Sequence, residues 1–380
     1  MAEITCVEDQ RQLAKRKVPK MFYDYADTGS WTESTYNLNE KDFDKIRFRQ
    51  RVGVDVDNRS TRMTMLGQDL PMPTALAPIG MAGMQYPDGE ILSAKAAEEF
   101  GIPFTLSTMS ICSIEDVASN TSMPFWFQLY VMRDRGFMKR LIGRAEAARC
   151  SALMVTLDLQ ILAQRHKDIR NGLSAPPKLN IKNLLNICTK PKWCFEMLKT
   201  KRRHFGNIFG HVKGIDDMSS LSDWVTGQFD PSLNWKDVSE IRSIWDGKLI
   251  LKGIMDKEDA KAAVQAGADA IVVSNHGGRQ LDGTISTIDA LPRILDAVDN
   301  KCEVWMDGGI RSGQDILRAV ALGATGTLIG RAFLYGLGAN GQHGVLQTLE
   351  ILRKELDLTM GLCGHKNLTD VDKSILHQYQ

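Results

Sequence analysis

Eight short apolar runs recur along the chain and alternate with longer amphipathic stretches. This rhythm limits the available folds more than any other feature. The runs are Thr74–Pro78, Pro103–Ser107, Phe125–Tyr130, Ala152–Asp158, Lys248–Lys252, Ala270–Ser274, Glu303–Asp307 and Gly326–Gly330. Helical patterning falls on Gly89–Phe100, Arg135–Ala148, Trp235–Trp245, Lys257–Ala266, Ile288–Val298 and Gly313–Leu322. Strands alternating with helices build parallel βαβ units, and eight such units predict an α/β fold, a closed (β/α)8 TIM barrel. A doubly wound open sheet is the alternative, but no G-x-G-x-x-G pattern follows an early strand. At 380 residues with 43% hydrophobic content, a single barrel domain over 1–380 accounts for the chain.

Two regions break the rhythm. Residues 1–70 precede the barrel as an N-terminal helical cap and are expected to form helices and a bottom cap, ending in a small hairpin over Met65–Pro71. Residues 174–219 are too long for a βα connection and form an insertion after the fourth strand. Between Lys178 and Lys213 the insertion holds nine Lys or Arg and one acid, Glu196, interleaved with Trp193, Phe195, Leu198, Phe205 and Phe209. Such a stretch is either a solvated loop partly packed over the barrel or a patch that touches anionic lipid. A net charge of +1 argues against general nucleic-acid binding. The seven cysteines include no C-x-x-C pair and read as reduced thiols, neither a disulfide frame nor a metal site. No apolar segment opens the chain and no run of about 18 apolar residues occurs, so a cytoplasmic protein without a membrane span is expected.

The chemistry concentrates at strand ends, where barrels place their active sites. Ser274-Asn275-His276-Gly277-Gly278-Arg279-Gln280-Leu281-Asp282-Gly283 follows the sixth run. Glycine lets backbone approach a ligand, histidine moves protons near neutral pH, and arginine grips a carboxylate with two parallel bonds. Together they point to proton removal from a small carboxylic acid. Tyr130, Asp158 and Lys252 end the third, fourth and fifth runs. Each alone reads as structural, and only their common face suggests a site. Asp307-Gly308-Gly309-Ile310-Arg311 and Gly330-Arg331 end the last two runs. Free backbone N–H groups and arginine charge cradle a phosphate at that place in many barrels.

The Ser274–Gly283 block resembles the active-site signature of the FMN-dependent 2-hydroxy acid dehydrogenases and oxidases, and the resemblance runs from about Pro19 to Gly364. Within that family the chain looks most like the bacterial flavin L-lactate dehydrogenases. The resemblance implies FMN as cofactor, His276 as base, and Asp158 orienting it. It puts Arg279 and Tyr25 on the substrate carboxylate and Tyr130 on the substrate oxygen. Without it, Tyr25 in Pro19-Lys20-Met21-Phe22-Tyr23-Asp24-Tyr25 would be read as core packing. Lys252 is implied beside flavin N1 and the C2 oxygen, where a fixed cation favours the reduced flavin. The ring is implied on Ala77-Pro78-Ile79-Gly80, with polar contacts from Ser107, Gln128, Thr156 and Ser274. The phosphate falls to Asp307, Gly308, Gly309, Arg311, Gly330 and Arg331.

Three places depart from the family pattern. Gly80 stands where glycolate oxidases carry alanine, and the missing methyl is expected to change oxygen access or substrate size; Met109 stands where they carry tryptophan, which loosens the pocket in favour of lactate or a larger acid over glycolate. The loop Leu159–Asp168 keeps only Arg165 of a paired-arginine motif, and His166 replaces an acid. Arg165 is expected to swing in as a second carboxylate contact.

The implied function is oxidation of an (S)-2-hydroxy acid, L-lactate to pyruvate, with electrons passed to a quinone or cytochrome. An oxidase of the same fold, making hydrogen peroxide, is the alternative. About 70 residues before the first strand leave no room for a haem domain, so the acceptor is expected to be external. Membrane-bound family members carry their membrane contact in this insertion, which makes 178–213 a candidate peripheral contact on the inner face of the cell membrane. The resemblance also implies a homo-tetramer. Another phosphate-binding barrel, such as an isomerase or aldolase, would lack the His276/Arg279 pair beside Lys252. A flavin-storing or membrane-docking protein with a dead site would not be expected to keep Tyr25, Tyr130, Asp158 and Lys252 together with that pair.

Overall fold

The computed structural model describes residues 3–173, 181–212, 224 and 227–377. A two-stranded hairpin, β1 (Met63–Met65) and β2 (Gln68–Leu70), precedes eight parallel strands. These are β3 (Thr74–Leu76), β4 (Thr105–Ser107), β5 (Trp126–Tyr130), β6 (Ala152–Thr156), β7 (Lys248–Ile254), β8 (Ala270–Val273), β9 (Glu303–Met306) and β10 (Gly326–Ile329). Their order is β3-β10-β9-β8-β7-β6-β5-β4. A parallel bridge from Leu76 to Phe104 joins the two ends, with Leu76 N–H donating to the Pro103 carbonyl at 2.9 Å, so the sheet closes. All eight expected strands and the closed barrel are present.

The strands are buried almost throughout and mostly apolar because both faces are covered. Helices pack outside, and side chains fill the interior, where Trp126 stacks on Trp305 at 5.3 Å. Such double burial is what continuous, non-alternating strand sequences require.

The N-terminal segment supplies both the expected helices and a bottom cap, and the hairpin is the part that plugs the bottom. Leu66 N–H donates to Glu303 at 2.9 Å, and a Cβ on Gly326 would lie 2.5 Å from Met65 Cε. Glu303 and Gly326 are the first residues of their strands. The helices α1 (Val7–Lys17), α2 (Lys20–Ala26) and α3 (Ser34–Lys41) take another place, and α2 lies across the opposite mouth. Patterning fixed that these helices exist but not which end of the barrel they cover.

Cations set the position of α2. Arg331 donates to the carbonyls of Ala26 (2.9 Å), Thr28 (2.7 Å) and Gly277 (2.9 Å). Arg279 donates to Tyr25 O at 2.5 Å and Lys167 to Asp27 O at 3.2 Å. Carbonyls at a helix C-terminus have no partner within the helix and carry partial negative charge, so three cations from three different loops pin this end.

On the way to the mouth, four further short helices follow, α4 (Ala82–Gln85), α5 (Gly89–Phe100), α6 (Ile114–Ala118) and α7 (Arg135–Ala147). After β6 come α8 (His166–Arg170), α9 (Ile181–Cys188) and α10 (Pro191–Lys199). The last two belong to the insertion, whose stretches 174–180 and 213–219 lie outside the described residues. No helix among the described residues is long and apolar enough to cross a membrane.

Candidate active site

A cavity of about 980 Å³ opens at the C-terminal ends of the strands. All the expected site residues line it except Ser107, Gln128, Asp158 and Ser274.

His276 follows β8 in the left-handed conformation, φ 60°, and Gly277 and Gly278 continue it at 64° and 71°. A non-glycine residue there carries strain that surrounding structure must hold. Ser274 Oγ accepts the His276 N–H at 3.1 Å, and Asn275 accepts the Gly278 N–H at 3.0 Å. Gly278 has no room for a side chain, because a Cβ would come within 2.5 Å of the Tyr36 backbone.

The imidazole Nδ1 meets Asp158 Oδ1 at 2.8 Å. Asp158 reaches it across a bulge in β7, where the register shifts between Lys252 and Ile254. At the bulge Gly253 takes φ 103°, and a Cβ there would stand 2.8 Å from the Asp158 carboxyl carbon. Bulges that re-aim a side chain are common beside active sites, and this glycine was not among the expected site residues. Burial opposes ionisation of Asp158, but His276 and Lys252 more than offset it and hold its carboxyl below the usual range.

Lys252 is 4% exposed and contacts Ser274 Oγ at 2.7 Å and Asp307 Oδ2 at 2.8 Å. Burial works against its charge, yet Asp307 and Asp158 keep its ammonium above the ordinary range. Asp307 is thus Lys252's partner as well as a cavity residue. Ser274 bridges the lysine and the histidine turn.

Tyr25 ends α2, with the guanidinium of Arg279 4.7 Å and that of Arg165 5.5 Å from its ring centre. Burial, and the like charge of Arg165, bring Arg279 down to about 10, still cationic at neutral pH. Arg165 forms an ion pair with Asp168 at 2.9 Å. Burial, then Tyr25 and Asp158, push the Tyr130 phenol up, so it stays protonated and can donate.

The opposite wall is glycine-rich. Gly308 and Gly309 have φ 90° and 84°, and a Cβ on Gly309 would lie 1.8 Å from Asn39 O. Close packing of α3 thus demands glycine there whatever ligand binds. Gly330 precedes the helix that starts at Arg331 and breaks at Asn340–Gly341, and that helix's N-terminus favours an anion.

The residues fit FMN on their own chemistry. Gln128 Nε2, Thr156 Oγ1, Asp307 Oδ1 and Arg311 Nε are buried with no hydrogen-bond partner among the described residues, a cost a polar ring system and phosphate would remove. The cation at Lys252 and the arginine–glycine end match the two ends of such a ligand.

Patterning did not reveal the staple between the first two loops. Glu90 of α5, 1% exposed, accepts the N–H groups of Gly83 (3.0 Å) and Ile111 (2.9 Å). Met81 N–H adds a bond to Met109 O at 3.0 Å. These ties fix the gap between Gly80 and Met109, where a Cβ on Gly80 would come 3.2 Å from Met109 Cβ and 3.3 Å from the Tyr25 hydroxyl.

Residues 14–378 match the family described as FMN-dependent dehydrogenase. The chain is 46% identical to an L-lactate dehydrogenase of Haemophilus influenzae (strain Rd), over 98% of both chains. It is 45% identical to one of Actinobacillus pleuropneumoniae, over the same shares. Among solved structures, the monotopic membrane protein (S)-mandelate dehydrogenase superposes with a TM-score of 0.94 at 34% identity, covering 99% of this chain and 100% of that one. A mandelate oxidase gives 0.83 at 35% identity, covering 97% and 96%.

Proposed function

We propose, from the premise that the chain belongs to the FMN-dependent dehydrogenase family and is an FMN-dependent 2-hydroxy acid oxidoreductase, that its substrate is L-lactate, its product pyruvate and its electron acceptor a quinone. One observation carries this: His276, held by Asp158, shares one cavity with two arginines around Tyr25 and a buried lysine. Bound there, FMN supplies the two-electron acceptor for the hydrogen on the substrate's α-carbon.

The chain's own residues do the rest. Arg279 and Arg165 hold the substrate carboxylate, with Tyr25 between them. Tyr130 donates to the oxygen that becomes the keto group. His276 Nε2 takes the proton, and Asp158 fixes the tautomer through Nδ1 and stabilises the imidazolium that results. Lys252 stabilises negative charge on the electron-accepting group. The cavity's apolar side, Met21, Phe22, Met84, Ile111 and Phe205, favours an apolar acceptor. L-Lactate turnover is expected to proceed faster with a water-soluble quinone under argon than with oxygen. Peroxide formed in air at the rate of quinone reduction would make the protein an oxidase instead.

The insertion supports peripheral contact with a membrane. On α9, Ile181, Leu184 and Leu185 are exposed, and on α10 so are Phe195 and Leu198, the last at 72%. Positions i, i+3 and i+4 share one helix face. Lys182, Lys192, Lys199 and Lys201 lie among them, as in helices that lie on anionic lipid. Trp193 does not belong to that face; it stacks on Phe22 at 5.5 Å and donates to Met84 O at 3.0 Å, anchoring α10 to the barrel. Phe205 lines the cavity. Replacing Leu184 and Leu185 together by Glu should reduce pelleting with phosphatidylglycerol vesicles by about tenfold or more, with lactate turnover on a soluble acceptor unchanged. Unchanged pelleting would remove the insertion from the contact.

A further inference from the structure

The substrate end of the cavity holds one carboxylate that the reaction does not use. Asp168, on α8, is 5% exposed and lines the cavity. Its Oδ2 pairs with Arg165 Nε at 2.9 Å, while its Oδ1 is buried and has no hydrogen-bond partner among the described residues. Burial raises its carboxyl above the usual range, and the charges of Arg165 and Arg279 act against that rise. An anionic wall in a pocket built to bind an anion needs a reason, since it weakens the attraction the arginines supply.

We propose that Asp168 selects substrate by charge: it neutralises one of the two arginines, so that the site matches a monocarboxylate and rejects a 2-hydroxydicarboxylate. Arg279 and Arg165 both line the cavity and bring two positive charges to the Tyr25 ring, 4.7 Å and 5.5 Å from its centre. Without Asp168 they would suit a dianion. With it, these three groups leave one net positive charge at the substrate end, and a second carboxylate on the ligand would be repelled by the charge of Asp168. Lys252 does not alter this balance, because Asp307 pairs with it at 2.8 Å. Arg331 spends its guanidinium on three backbone carbonyls, and Arg311 pairs with Glu40 at 2.7 Å. The inference rests on the reading that the arginine pair grips the substrate carboxylate. It makes Asp168 a specificity-determining residue, not a catalytic one.

The test uses the FMN-loaded protein and two ligands of similar size, propionate and malonate, at a pH where malonate is doubly ionised. Binding is read at equilibrium from the change in flavin absorbance, so the result does not depend on lactate being the substrate. The unaltered protein is expected to bind propionate more tightly than malonate. In Asp168→Asn the ratio should shift toward malonate by about tenfold, and Asp168→Glu should keep the original preference. An unchanged ratio in Asp168→Asn, including equal weakening of both ligands, would overturn the proposal and leave Asp168 as a structural support for Arg165. Tighter binding of malonate than propionate by the unaltered protein would overturn it without any variant.

Discussion

Replacing His276 by Gln leaves FMN bound and slows bleaching of its absorbance by L-lactate by about 10³-fold or more, the scale of a lost general base held by its carboxylate. The cofactor should stay because Lys252, Asp307, Gly309 and Arg311, the residues proposed to hold its ring and phosphate, lie outside the His276 turn. Asp158, 2.8 Å from Nδ1, loses the partner that most offsets its burial, so its carboxyl titrates higher in the variant. Anaerobic stopped-flow absorbance measures the effect, and bleaching at the original rate would take the base role from His276.

The second large effect belongs to Lys252. Its ammonium and Asp307 form a buried pair, 2.8 Å apart. Lys252→Met removes one partner and leaves the other charge uncompensated, which typically costs about 3–5 kcal/mol. The expected protein unfolds several degrees lower and retains little FMN after gel filtration. Lys252→Met with Asp307→Asn should recover most of the melting temperature but not the rate of bleaching, separating the packing of the pair from the charge near the flavin. A single variant that stays fully yellow with an unchanged melting temperature would show that the pair holds neither fold nor cofactor.

The barrel was legible because its strands are buried on both faces and its helices on one, so periodicity alone separates them. Gly89–Phe100 and Gly313–Leu322 match their helices residue for residue. His276 and Arg279 were legible because two glycines and a strand end surround them. Asp168 was not, since an aspartate three residues after an arginine on a short helix is an ordinary i,i+3 pair until the cavity beside it is seen. Gly253 was hidden within an apolar strand, where nothing local marks a bulge. Glu90 had the appearance of a first-turn helix acid, favoured by the helix dipole, and only the fold brings the Gly83 and Ile111 N–H groups to it. The same holds for α2. Its sequence specifies a helix, but the cations that pin its last carbonyls come from Lys167, Arg279 and Arg331. In each case the missing information is long-range: which loop ends meet at the mouth.

The most direct measurement of the central claim is rapid anaerobic mixing of the FMN-loaded protein with L-lactate, and separately with D-lactate, while following flavin absorbance. The assignment as an L-lactate dehydrogenase with His276 as base predicts fast, complete bleaching with L-lactate and none with D-lactate. A yellow protein whose absorbance is unmoved by saturating L-lactate would contradict the assignment of L-lactate as substrate.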